Sequence, residues 1–232
     1  MNTVLVAVTL VLAGESAADT SYRQGWQRVE EADGITVYSR AVAGSDIVAF
    51  MGEGDIDAPL ARVASVILDP ARSTEWVGRL AEARVLRRLS DTERVEYSHV
   101  TTPFLTRDRD FVSRVVVDYD LHSGVLVERI AATEDPLAPH TGYVRGRVMS
   151  GFFRLAPTGD GKRTHLVCQV HADPRGSLPR WLVNFFQRDW PMQSIRALRR
   201  QVARADVRVL PVVSRMLGQP AATAAAPAIT PR

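Results

Sequence analysis

Five histidines, one cysteine and a scatter of serines are the side chains best suited to nucleophilic or metal chemistry, and their spacing supports neither. His99, His122, His140, His165 and His171 show no His-Glu-x-x-His arrangement, so no metal centre is expected. Ser150-Gly151 and Ser177 lack the strand-to-helix turn that exposes a catalytic serine. Cys168 lies mid-strand between Leu166 and Val170, where a small buried thiol is expected. No glycine-rich loop could cradle a phosphate, and the basic residues are not interleaved with exposed aromatics, so neither a cofactor nor nucleic acid is implied. Charged residues in apolar surroundings remain. Arg109 and Asp110 precede Phe111 and Val112, and are expected to form a structural charge pair at the start of a strand. Strand alternation puts Tyr143, Arg145, Arg147 and Met149 on one side of "GYVRGRVMSGFF". It gives Val95, Tyr97 and His99 a common face, and Leu126, Glu128 and Ile130 another.

These side chains need a scaffold. At 232 residues, with 46% hydrophobic and 24% charged, the chain is long enough for one domain with a sizeable core. The net charge is +3, and Lys162 is the only lysine, a weak hint of anion binding at most. Asp33-Gly34 marks a hairpin between a run ending at Val29 and one from Ile35 to Ser39. "IVAFMGEGDI" adds a third strand. Leu60, Val63, Ala64, Ile67 and Leu68 then keep helical spacing behind a cap at Asp57. Five Val- and Ile-rich stretches follow, the first divisible into two strands around Ser90-Asp91. A long helix from about Leu178 to Val207 closes the pattern. Strands, a short helix, a long meander and a closing helix make an α+β domain, with a strongly curved antiparallel sheet whose concave face the last helix must cover.

That helix carries more apolar surface than one stripe requires: Trp181, Leu182, Val183, Phe185, Phe186, Trp190 and Met192 spread over more than one face. Four stretches then carry a resemblance. "TTPFLTRDRDFV" resembles the Pro-x-aromatic and Arg-Asp-Phe of START domains, the lipid-transfer domains related to steroidogenic acute regulatory protein. "HADPRGSLPRWLVNFFQRDWPMQSIRALRRQ" is similar to that family's closing segment. "DGITVYSR" and "LDPARSTEWVGRLAEARVLRRL" fit in family order, so the resemblance covers residues 22 to 206. It implies a helix-grip fold around an apolar tunnel beneath the last helix, with an arginine and a carboxylate kept inside it for a ligand's polar group. Arg145 is the position that this implies, with Glu128 its partner, beside Tyr97, Tyr143 and Met149. In the loop "TEDPLAPHTG", Leu137 is expected at the tunnel mouth. Trp181, Phe185, Met192 and Ile195 are assigned to the tunnel wall, Leu182 and Phe186 to sheet packing.

The expected function is a non-enzymatic carrier or sensor of one hydrophobic molecule, acting as a monomer with transient membrane contact. The alternative is a helix-grip enzyme, such as a polyketide cyclase or hydrolase working in the same cavity. Against that alternative stands the lack of an inward acid and base pair within mutual reach. Residues 1 to 18 read as a signal peptide, an apolar run over residues 4 to 13 followed by Ser16-x-Ala18, although no basic residue precedes the run. The domain is expected over 19 to 210, in the periplasm or outside the cell, with 211 to 232 a disordered tail.

Overall fold

The computed structural model describes residues 21–102 and 106–218. Residues 1–20, where a signal peptide is expected, residues 103–105 and the stretch after 218 lie outside the described residues. Strands β1 (Gln27–Ala32), β2 (Ile35–Arg40) and β3 (Ala49–Ile56) lead into helix α1 (Leu60–Ile67). After a 3-10 turn come β4 (Leu80–Arg88), β5 (Glu93–Val100), β6 (Arg109–Asp120), β7 (Val125–Ala132), the two-residue β8 (Val144–Arg145), β9 (Arg147–Thr158) and β10 (Arg163–Asp173). Helices α2 (Arg180–Val202) and α3 (Pro211–Met216) complete the chain.

The strands form one sheet in the order β1-β2-β3-β10-β9-β7-β6-β5-β4, with β8 running parallel beside β6. All other neighbours are antiparallel, as a meander of short turns dictates. The Asp33-Gly34 turn forms as expected, both residues having positive φ, 54° and 65°, which suits the right-handed twist of the paired strands. Helix α1 begins at Pro59 with no side-chain cap, so Asp57 does not serve as one.

Helix α2 lies across β2, β3 and β10. Its Pro191 sits inside the helix, where the ring removes a backbone hydrogen bond. The ring is received by Gly52, where a Cβ would come within 2.6 Å of the proline Cβ. Ile195, Leu198 and Val202 of the same stripe meet Ile35, Val37, Leu166 and Cys168 in the main core. Full burial pushes the Cys168 thiol up to about 12, so it stays protonated and inert at neutral pH.

Two boundaries differ from the sequence expectation. Helix α2 ends at Val202, not Val207, because Arg62 of α1 captures the carbonyls of Val202, Arg204 and Val207 and fastens the chain in an irregular link. The domain does not stop at 210: α3 packs on the core through fully buried Val213, beside part-buried Val212 and Met216.

Candidate ligand site

The face of the sheet that α2 covers can be followed by register. Gly52, under Pro191, stands opposite Cys168, Cys168 opposite Phe153, Phe153 opposite Glu128, and Glu128 opposite Val117. Arg94 opposite Val115 and Glu96 opposite Ser113 extend the same face onto β5. This concave face therefore carries three charged side chains among Phe153, Val115 and Val117.

Those three form one cluster. The Arg94 Nη2 donates to Glu128 Oε1 at 2.8 Å, and its Nε donates to Glu96 Oε1. Burial pushes the Glu128 carboxyl up to about 7, since the attraction of Arg94 is partly offset by the nearby Glu96 carboxylate. Burial also works against the charge on Arg94, but the two carboxylates outweigh it and hold the guanidinium charged. Two carboxylates share one cation, so the cluster is net negative when both are ionised.

Arg94 opens onto a recess of about 620 Å³. Val85 and Val117 supply its sheet wall, Leu68 and Pro70 a second wall, and Val212 and Met216 of α3 a third. That size suits one small hydrophobic molecule. The neighbouring interior is aromatic: Phe153 meets Trp76 edge-on at 6.3 Å and Trp190 at 5.9 Å. The Trp76 indole N–H is buried without a hydrogen-bond partner among the described residues. The recess thus lies over β4 to β6, between the Leu68 to Ala71 turn and α3, while the space beneath α2 itself is packed core.

The expected site residues scatter. Only Glu128 joins the concave charge cluster. Arg145 is not its partner: Arg145 pairs with Asp110 at 2.7 Å and also donates to the Pro139 carbonyl. Asp110 stands opposite His99, one residue out of step with the concave set, so this pair faces the convex side. Burial raises the Asp110 pKa, but hydrogen bonds from Arg145 and Thr141 outweigh it and hold the carboxyl below its usual range. Arg109, expected to pair with Asp110, reaches instead to the carbonyls of Arg107, Pro174 and Arg175, as neighbours on a strand point to opposite faces.

Tyr97 is buried on the convex face with Val95 and Val112, where Ala138 of the 133–142 loop covers them. The loop therefore closes over the back of the sheet and not over the concave recess. Tyr143 stacks on His99 at 4.0 Å. Leu137 and Met149 are exposed. Helix α2 separates the remaining four: Met192 and Ile195 lie in the packed core, whereas Trp181 and Phe185 are 70% and 57% exposed. Trp190 faces Phe153, so the flank of Phe186 and Trp190, one turn apart, looks toward the concave interior.

Arg94, Glu96 and Trp76 were not singled out by sequence. In "RVEYSHV" the apolar Val95 and Tyr97 point to the more hydrophobic face, which reads as the inner one. Both faces are buried here, because the 133–142 loop covers the convex side. The polar set Arg94, Glu96 and Ser98 was the available signal.

Comparison with known proteins agrees with this fold. The START domain family model matches residues 12–204. A STAR-related lipid transfer protein fragment from Xanthomonas axonopodis is 30% identical, covers 78% of this chain and 99% of its own, and superposes with a TM-score of 0.69. The human StAR-related lipid transfer protein 5 shares the fold at 24% identity, covering 78% of this chain and 89% of its own, with a TM-score of 0.72. An uncharacterized protein of Pseudomonas aeruginosa is 29% identical over 197 residues, 85% of this chain and 94% of that one. The chain belongs to the START domain family.

Proposed function

We propose that this protein carries or senses a single amphipathic hydrophobic molecule without transforming it. The molecule's apolar body lies in the recess over β4 to β6, and its polar group meets the Arg94, Glu96 and Glu128 cluster. One observation carries this reading: a buried guanidinium shared by two carboxylates opens onto a recess of about 620 Å³ that Leu68, Val85, Val117, Val212 and Met216 line together with the exposed Arg84, Arg88, Asp91 and Arg215. Packing alone gives no reason for such a cluster, since hydrophobic replacements of buried ion pairs are often neutral or stabilising by about 1–4 kcal/mol. Similarity to the Xanthomonas lipid transfer fragment supports a lipid as the cargo.

The reading extends to the protein's surroundings. Residues 1 to 18 direct export to the periplasm or the exterior, and the mature chain begins near Asp19. It acts as a monomer and touches membranes transiently through exposed Trp181, Phe185 and Leu137. Amino-terminal sequencing from the native host tests export, and an intact Met1 on cytosolic protein refutes it.

Mass spectrometry of lipid extracted from the purified protein tests the cargo. The wild type is expected to retain one lipid class near one molecule per chain. The triple substitution Arg94→Met, Glu96→Gln and Glu128→Met removes all three charges together, and is expected to keep the fold while losing that selectivity. A wild type that returns only bulk membrane lipid in trace amounts, or a triple variant with an unchanged profile, overturns the assignment.

A further inference from the structure

The recess has three walls, and one of them lies outside the family domain. Strands β4 to β6 and the Leu68 to Ala71 turn fall within the matched stretch 12–204, but Leu210, Pro211, Val212 and Met216 lie beyond it. The chain is firmly held up to Val207, since Arg62 donates to the carbonyls of Val202, Arg204 and Val207 at 2.6 to 3.2 Å. Past that point the attachments thin out. The Leu210 N–H donates to Ser65 Oγ at 2.9 Å, and Val213 is buried against α1 and the core. A helix of only six residues does not hold its shape alone, so these contacts on α1 define where α3 sits.

On its other side α3 meets the sheet by a weaker bond. Arg215 reaches Asp91 in the β4–β5 turn at 3.1 Å, with both side chains more than three-fifths exposed. An ion pair this exposed is worth little. Val212 and Met216, four residues apart and so on one face, look into the recess between these two attachments.

We propose that α3 completes the ligand site: Val212 and Met216 touch the apolar part of the cargo and limit how much of it fits. Ligand passes between α3 and the β4–β5 turn, because that seam is closed by one exposed ion pair. This rests on the carrier reading above. It adds a specificity element beyond the stretch that the family model matches.

The test titrates diphenylhexatriene, an uncharged apolar fluorophore, into delipidated full-length chain. Val212→Trp and Met216→Trp fill the recess from the α3 side, and each is expected to weaken probe binding about tenfold or more, close to 1.4 kcal/mol, with no drop in unfolding midpoint. Arg215→Glu sets two like charges at the seam and is expected to speed probe dissociation several-fold with little change in affinity. Should the tryptophan variants unfold, Val212→Ala and Met216→Ala enlarge the recess and are expected to admit a longer polyene that the wild type excludes. Wild-type binding by both tryptophan variants, or by both alanine variants toward the longer probe, overturns the role of α3 and leaves the carrier reading standing. A wild type that binds no apolar probe overturns both.

Discussion

Glu128→Gln separates the charge of the buried cluster from its shape. Glutamine keeps the volume and an oxygen to accept from the Arg94 Nη2, but it cannot ionise. In the folded protein, burial pushes the Glu128 carboxyl from 4.5 up to about 7. The folded state therefore keeps a proton that the unfolded chain releases. Its stabilising effect is complete below about pH 4.5 and is lost as the pH rises to about 7. At about 1.4 kcal/mol per pH unit, that interval corresponds to roughly 3 kcal/mol as an upper figure. Glutamine mimics the protonated side chain, so the variant should match the wild type at about pH 4.5 and exceed it by up to roughly 3 kcal/mol at about pH 8. Urea unfolding of both proteins across that range measures the difference directly, and groups common to both, such as His171, cancel in it. A variant less stable than the wild type at the alkaline end would refute the reasoning. It would mean that the ionised Arg94–Glu128 pair gains more from attraction than Glu128 loses by burial.

Three further outcomes are expected. Arg145→Leu leaves fully buried Asp110 without its cation and should cost about 2–4 kcal/mol by thermal unfolding, while the bound lipid stays the same; a changed lipid would return Arg145 to the ligand site. Gly52→Ala drives a Cβ against the Pro191 ring, which the helix backbone holds in place, and should lower stability by about 1–3 kcal/mol; an unchanged melting temperature would show that α2 lifts freely from β3. The double variant Trp181→Ser with Phe185→Ser alters exposed side chains only, so stability should stay within about 0.5 kcal/mol while sedimentation with anionic vesicles falls. Unchanged sedimentation would remove these residues from membrane contact.

The fold was legible because its signals are local. The Asp33-Gly34 turn, the helical spacing from Leu60 and the break at Ser90-Asp91 each specify an element without reference to distant residues. The site was less legible, because alternation says which side chains share a face but not which face is inside. "GYVRGRVMSGFF" also proved to be two pieces. Val144 and Arg145 run parallel to β6, and β9 begins at Arg147. Gly146 lies at the break because the Phe111 ring fills the position of a Cβ, which would fall 2.4 Å from it. The alternation restarts there, so parity counted from β9 could not place Arg145. Arg94 was hidden differently, by a loop that buries the convex face and makes the apolar side of β5 resemble the interior.

The apolar surplus of the closing helix now has three destinations. Val183, Met192, Ile195 and Leu198 are buried against the core, and Phe186 with Trp190 lines the concave side. Trp181 and Phe185 project at the amino-terminal half, where Asn184 and Gln187 tie α2 to the Val48 N–H and the Ala172 backbone. Those amide contacts satisfy strand-end groups that extra packing would otherwise have to cover, and they fix the rotation of the helix. With that rotation fixed, Trp181 and Phe185 cannot turn inward without breaking them. Exposed aromatic residues held out by polar anchors are not idle core. They form a standing apolar surface at the same end of the molecule as the turn leading into α2, whose Arg175 and Arg180 lie close in sequence. Apolar side chains held in water beside basic residues have the composition expected of a contact with an anionic bilayer, a contact that the buried stripe cannot make.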